Sequence, residues 1–243
     1  MQGRVKKTFK SYLVMRKLTH LAITPDGNRR YAKKHSLSFQ KAYKAGFDKI
    51  KDVLEWSKEP ERITLWAMSL DNILQRSQFE KKILFKLMSK HVLESIDNGQ
   101  FSERGVHVNF FGRRDLLPRA LNERFELLER ETEGGSKELN VAIAYSGRDE
   151  LLSAAKALAF DTKAGKIDPT NLTEKQFEKY LYCSDSPDLV IRTGDAQRLS
   201  GLMPWQTAYS EIYFSKKLWP EFAKSDFDKA VEFYRSTESR KGK

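Results

Sequence analysis

Cys183 is the only cysteine among 243 residues. A single thiol closes no internal disulfide and builds no multi-thiolate metal cage, so the chain reads as cytoplasmic. No apolar run approaches the roughly 20 residues of a membrane-spanning helix. The start, MQGRVKKTFKSYLVMRK, lacks the apolar stretch of a signal peptide. Common phosphate and metal signatures are also missing. Gly134-Gly135-Ser136-Lys137 lacks the upstream glycine of a P-loop, and no G-x-G-x-x-G follows the first apolar run. No two aspartates are adjacent, which excludes the paired-aspartate type of metal-diphosphate motif. His20, His35, His91 and His107 have no metal-ligand spacing.

What is present suffices for a folded domain. Hydrophobic residues make up 40% and aromatics 12%, which excludes a wholly disordered chain. With 44 basic and 33 acidic residues the formal net charge is +11. Arg4, Lys6, Lys7, Lys10, Arg16 and Lys17 fall in residues 1–17, which hold no acid. This segment reads as a basic tail ahead of one domain at 18–243. Solvation, an anionic membrane surface and nucleic acid are its three open roles.

Six short runs rich in Val, Ile, Leu and aromatics read as strands: 18–24, 63–68, 106–111, 139–145, 189–193 and, more weakly, 211–214. Segments with a 3.6-residue apolar period lie between them. Their stripes are Tyr43, Phe47, Ile50, Leu54; then Ile83, Leu84, Leu87, Met88, Val92; then Leu121, Phe125, Leu128; then Leu151, Leu152, Ala155, Leu158. Thr173 and Gln176 have capping-box spacing and open a helix carrying Phe177, Tyr180 and Leu181; a last helix begins near Asp226. Such alternation predicts an α/β domain, a mostly parallel sheet of about six strands flanked by helices.

Ligands of open parallel sheets bind beyond the carboxyl ends of the strands. The residues following the first five strands are PDGNRRY (25–31), SLDN with Arg76 (69–76), GRRD (112–115), SGR (146–148) and RTGDAQRLS (192–200). Each carries arginine, whose planar fork of donors matches phosphate oxygens. An anion with several phosphate oxygens is the expected ligand. Asp26 is the exception in sign, and two roles are open to it: a Mg²⁺ ligand shared with substrate phosphate, or a helix N-cap beside Gly27.

Three long segments carry a family likeness. HLAITPDGNRRYAKK (20–34), ITLWAMSLDNILQRS (63–77) and DLVIRTGDAQRLSGLMPWQTAYSEIYFSKKLWPEF (188–222) resemble the cis-prenyltransferases, the Z-isoprenyl diphosphate synthases that include the undecaprenyl diphosphate synthases. NVAIAYSGRDEL (140–151) is similar to another family segment, and PDGNRRY has an archaeal look. The resemblance implies an enzyme that condenses isopentenyl diphosphate with an allylic isoprenyl diphosphate. Diphosphate leaves, a proton is lost and a cis double bond remains, while the chain grows into a hydrophobic tunnel. It implies Mg²⁺ held by Asp26 and Glu211, a homodimer, peripheral membrane contact through Lys6, Lys7 and Lys10, and no nucleic acid.

Site roles carry over residue by residue. Asp26, Gly27, Asn28, Arg29, Arg30 and Tyr31 match the cradle of the allylic diphosphate. Ser69, Leu70, Asp71, Asn72 and Arg76 match the loop over the site, with Asn72 at a position given a proton-accepting role; diphosphate oxygen is an equal candidate, since an amide is a weak base. Arg192, Arg198, Leu199 and Ser200 match the isopentenyl diphosphate site. Arg240 and Gly242 match a carboxyl-terminal ending that reaches the partner. Phe39 and Tyr43 replace the Arg and His usual in bacterial members, with Tyr43 still a substrate-binding candidate; Ile73 replaces an aromatic, and Asp195-Ala196 a Gly-Glu pair. A non-catalytic partner subunit is the alternative, opposed by retention of Asp26, Asn28, Arg30, Asn72 and Glu211. Phe47, Ile50, Leu54, Ile83, Leu87 and Met88 are the candidate tunnel lining, with plain core as the simpler reading of each.

Overall fold

The six apolar runs form six parallel strands of one sheet. The computed structural model describes residues 16–238. The strands are β1 (His20–Thr24), β2 (Arg62–Ser69), β3 (Val106–Phe111), β4 (Lys137–Tyr145), β5 (Leu189–Arg192) and β6 (Glu211–Phe214). Their order is β3-β4-β2-β1-β5-β6, and every neighbouring pair is parallel. The helices are α1 (Asn28–Lys34), α2 (Phe39–Trp56), α3 (Leu70–Gln75), α4 (Gln78–Asp97), α5 (Arg119–Glu131), α6 (Gly147–Lys163), α7 (Glu174–Glu178) and α8 (Lys224–Ser236).

Alternation along the central strand divides the core in two. Leu21 and Ile23 of β1 face the larger cluster, shared with α2, α4, α5 and α8. Ala22 between them faces the smaller cluster, with Trp66, Tyr145, Leu202 and Met203. β1 is buried along its whole length, which is why its run reads as continuously apolar. α5 buries Leu121, Phe125 and Leu128, each stabilising the fold by about 1.5–3 kcal/mol.

Helix starts follow local chemistry. Ser38, Ser69 and Ser77 cap α2, α3 and α4 by accepting from Lys41, Asn72 and Glu80 backbone N–H groups at 3.3, 3.1 and 3.2 Å. Thr173 and Gln176 form the expected capping box, but α7 ends at Glu178, so Tyr180 and Leu181 fall in the turn beyond it. The last helix starts two residues before Asp226, whose carboxylate accepts from Ala223 N–H at 3.1 Å. Arg16 and Lys17, counted with the basic tail, are fastened to the body: Arg16 bonds Glu211 at 3.0 Å and lies over the Tyr234 ring, and Lys17 pairs with Glu61 at 2.6 Å.

Strand order places the site. From β1 the chain passes to β2 on one side; from β5 it passes to β6 on the other. Loops leaving β1 and β5 therefore diverge and open a crevice at the carboxyl edge of the sheet.

Candidate active site

Asp26 stands two residues beyond β1, and both its oxygens meet arginine. Oδ1 is 3.1 Å from Arg30 Nη2, and Oδ2 is 3.0 Å from Arg192 Nη2. Arg192, the last residue of β5, also donates to Ser200 Oγ at 2.7 Å and to the Arg198 carbonyl. Its side chain is 6% exposed. One buried guanidinium thus joins the loop after β1 to the loop after β5. The backbone reinforces the junction: Thr193 Oγ1 and Trp219 N–H donate to the Asp26 carbonyl at 2.8 and 3.0 Å, and Arg30 donates to the Gly194 carbonyl.

Two glycines permit this approach. Gly194 has φ +85°, and a Cβ there would sit 2.5 Å from Arg30 Nη2 and 2.9 Å from the Asp26 carbonyl oxygen. Gly27 has φ +118° and would meet Leu218 Cα at 3.0 Å. Asp195 takes the left-handed conformation too, at φ 64°, and aspartate is among the few residues that tolerate it.

The crevice encloses a polar pocket of about 690 Å³. Arg29, Arg30, Arg76 and Arg192 line it, and among the described residues Asp26 is its only lining carboxylate. Glu80 stands behind, 3.3 Å from Arg76 Nε and 3.8 Å from Arg29 Nη1. Neither Arg76 Nε nor Arg192 Nε, both buried, has a hydrogen-bond partner among the described residues. Arg76 lies over the Tyr43 ring with Cζ 5.6 Å from its centroid. Burial pushes the Tyr43 hydroxyl above its usual pKa and Arg76 opposes the shift, so Tyr43 is a neutral donor. Cys183 is no nucleophile at neutral pH, because burial pushes its thiol up to about 11.

The pocket gathers Asp26, Gly27, Asn28, Arg29, Arg30, Tyr43, Ser69, Asn72, Arg76, Arg192 and Ser200 from the expected set. Tyr31 packs instead on His35, ring centroids 4.4 Å apart. Leu70 and Asp71 begin α3 without lining the pocket, and Leu199 packs on the smaller core. Arg198 stands just outside, its Nε 3.2 Å from Ser200 Oγ. Arg240 and Gly242 lie outside the described residues. Glu211 opens β6 at the amino edge, paired in register with Leu189, and its carboxylate holds Arg16. Within one chain that is about 15 Å along the strands from Asp26, so the two expected metal ligands do not meet there. Among the described residues no three His, Cys, Asp or Glu side chains gather as a metal site.

The five arginine-bearing loops do not all converge. Arg113 is held by Asp115 at 2.7 Å and Asp149 at 3.3 Å, and Arg114 by Glu129 at 2.9 Å. Both follow β3, the strand at one end of the sheet, and pair locally; Arg148, after β4, does not line the pocket. Thr24, Pro25, Trp66, Ala67, Met68 and Gln75, which lie in the same segments but carry no role by resemblance, complete the pocket wall. Adjacency to PDGNRRY and to the SLDN loop was the available signal.

Beneath the polar pocket, and sharing Pro25 and Ala67 with it, is an apolar cavity of about 110 Å³ between the sheet, α2, α4 and α5. Phe47, Ile50 and Met88, three of the candidate tunnel-lining residues, line it. Leu54 instead faces a second cavity at the amino edge, and Ile83 and Leu87 face an outer groove. Helical spacing defines a face, not which neighbouring space that face borders. The sheet itself supplies Leu65, Val108, Leu139, Val141 and Ile143.

A family described as "Putative undecaprenyl diphosphate synthase" matches residues 24–242. The chain belongs to the undecaprenyl diphosphate synthase family. It is a cis-prenyltransferase by that membership, and so a transferase. A tritrans,polycis-undecaprenyl-diphosphate synthase (geranylgeranyl-diphosphate specific) from Methanopyrus kandleri is 39% identical over 229 residues, covering 92% of this chain and 84% of the relative. An enzyme of the same name from Archaeoglobus fulgidus is 37% identical, covering 90% of each. Among solved structures, lavandulyl diphosphate synthase from Lavandula x intermedia, in complex with dimethylallyl diphosphate, superposes with a TM-score of 0.87 at 27% identity, covering 92% of this chain and 97% of that one. No helix among the described residues is long and apolar enough to cross a membrane.

Proposed function

We propose that this cis-prenyltransferase condenses isopentenyl diphosphate with an allylic isoprenyl diphosphate in a Mg²⁺-dependent reaction, giving a Z-polyprenyl diphosphate. The relatives from Methanopyrus and Archaeoglobus are named as specific for geranylgeranyl diphosphate, which makes it the proposed primer. The observation that carries the reading is the Asp26–Arg192 contact: it brings the two arginine-bearing loops to one pocket, which shares Pro25 and Ala67 with an apolar cavity.

In this reading Arg29, Arg30 and Arg76 bind the allylic diphosphate, while Arg192, Arg198 and Ser200 bind isopentenyl diphosphate. Fixed guanidinium charge around the departing diphosphate is stronger against the charge that builds in the transition state than against the resting substrate, which lowers the barrier to breaking the allylic C1–O bond. The isopentenyl double bond attacks C1, and a proton leaves to form the new cis double bond. Asn72 stands in the pocket wall and orients a diphosphate oxygen that takes this proton. The apolar cavity receives the growing chain and excludes water from the reacting carbons.

Asp26 suits Mg²⁺ as that ion prefers to be held, by one carboxylate with substrate phosphate oxygens and water supplying the remaining positions. When bound, the ion would neutralise charge on the diphosphate. A homodimer belongs to the same proposal. The test is to incubate the protein with labelled isopentenyl diphosphate and dimethylallyl, geranyl, farnesyl or geranylgeranyl diphosphate in turn, with Mg²⁺ or with chelator, and to size the products. Long products that vanish with chelator support the reading; no incorporation with any primer overturns it.

A further inference from the structure

The outer face of α2 and α4 is a lysine-lined groove of about 930 Å³. Lys41, Lys44, Asp48 and Lys51 recur at helical spacing along α2, and Phe79, Lys82, Lys86, Lys90 and Glu94 along α4, so each set forms one stripe. The two stripes line opposite walls of the same groove. All six lysines are exposed. Lys44 pairs with Asp48 at 2.7 Å and Lys90 with Glu94 at 3.5 Å. Lys41, Lys51, Lys82 and Lys86 have no ion pair among the described residues. Six lysines against two carboxylates leave this wall strongly positive.

Apolar side chains stand at its carboxyl-edge end. Phe79, in the groove, is 74% exposed, and Leu74, on the preceding α3, is 65% exposed. They flank Gln75 and Arg76, which line the polar pocket. Lys51 and His91 border both the groove and the apolar cavity beneath, so the charged face is the outer wall of that cavity.

We propose that the α2–α4 face docks on an anionic lipid bilayer, its lysines over the headgroups and Leu74 and Phe79 inserted at the acyl boundary. Charge complementarity and the exposed apolar pair together identify the occupant. Lysines alone suit any polyanion, but a phenylalanine and a leucine left in water beside them suit an interface that is anionic outside and apolar a few ångströms below. This placement differs from the basic tail at 1–17, whose described end, Arg16 and Lys17, joins the body at the amino edge of the sheet. It rests on charge and exposure and does not depend on the proposed reaction.

The test is sedimentation of the full chain with vesicles of phosphatidylcholine alone and with phosphatidylglycerol added. Binding is expected only with phosphatidylglycerol, and it weakens as salt rises. K82Q/K86Q/K90Q lowers the partition coefficient by about a hundredfold, near fivefold per lysine, and L74S/F79S lowers it further. Three controls fix the surface. K156Q/K163Q/K175Q, on α6 and α7, and K6Q/K7Q/K10Q, in the tail, retain most of the binding, and all variants keep the wild-type melting temperature. Equal binding to neutral vesicles, wild-type partition of K82Q/K86Q/K90Q, loss confined to the tail variant, or binding to RNA but to neither vesicle overturns the proposal.

Discussion

Asp26 Oδ2 lies 3.0 Å from Arg192 Nη2, although 166 residues separate them in sequence. The contact closes the crevice between the β1 and β5 loops and orients both groups toward one pocket. Arg192 spends its fork on Asp26, Ser200 and the Arg198 carbonyl, so its role is geometric as well as electrostatic.

That geometry is testable with a substitution that keeps the charge. Arg192→Lys offers one ammonium in place of a planar fork and cannot reach all three partners. The expected result is a rise in KM for isopentenyl diphosphate of tenfold or more, with a stability loss of about 1–3 kcal/mol from the partners left unpaired. Steady-state kinetics and denaturant unfolding read the two effects separately.

Gly194→Ala attacks the same junction from the backbone. The added methyl group meets Arg30 and the Asp26 carbonyl inside contact distance and must also adopt φ +85°. Strain of this kind costs about 1–3 kcal/mol, and displacement of Arg30 lowers kcat. Asp195→Gly, one residue on, removes a side chain already in the left-handed region and leaves the melting temperature near wild type.

Phe101 separates the apolar cavity from the lower cavity at the amino edge; Gln100 and Leu139 are its neighbours in both walls. Phe101→Ala opens that floor, and longer polyprenyl products are expected on chromatography. Truncation of a buried phenylalanine costs about 3–5 kcal/mol, so Phe101→Leu provides a milder companion with an intermediate shift in length. Unchanged product length in both variants removes Phe101 from this role.

His20 makes stability depend on pH. Burial, aided by Arg62, pushes its imidazole down to about 4, and it stays neutral against Thr64 Oγ1 at 2.8 Å. In the unfolded chain it titrates near 6.5. Between those values the unfolded state binds more protons, so stability is full above pH 6.5 and falls as pH drops toward 4. The loss from this residue amounts to at most about 3 kcal/mol. Unfolding curves from pH 7 to 4 for wild type and His20→Gln should differ in slope across that window.

The fold was largely legible because β1 and β5 at its centre are buried on both faces: the runs HLAIT and LVIR leave little else to read. β4 starts two residues earlier than its apolar run, since Glu138 is held in the sheet by Arg62 on the neighbouring strand. In the site, the charged and polar residues given roles within the recognised segments were legible, while Trp66 and Gln75, in the same 63–77 segment, carry no chemistry that marks them as pocket wall. Glu211 shows a different limit. A segment match does not say which edge of the sheet a side chain joins, and within one chain Glu211 stands at the amino edge, holding Arg16. Arg113 and Arg114 were misassigned to the pocket because nearby acids, invisible as partners in a linear reading, pair them locally.

The most direct test of the central claim is label incorporation from isopentenyl diphosphate onto geranylgeranyl diphosphate by wild type and Asp26→Ala, with the fold of both checked by circular dichroism. The account predicts polyprenyl product from wild type and a loss of at least about a hundredfold in the variant, the scale of removing one transition-state-stabilising group, with the fold intact. Undiminished product from folded Asp26→Ala would contradict it.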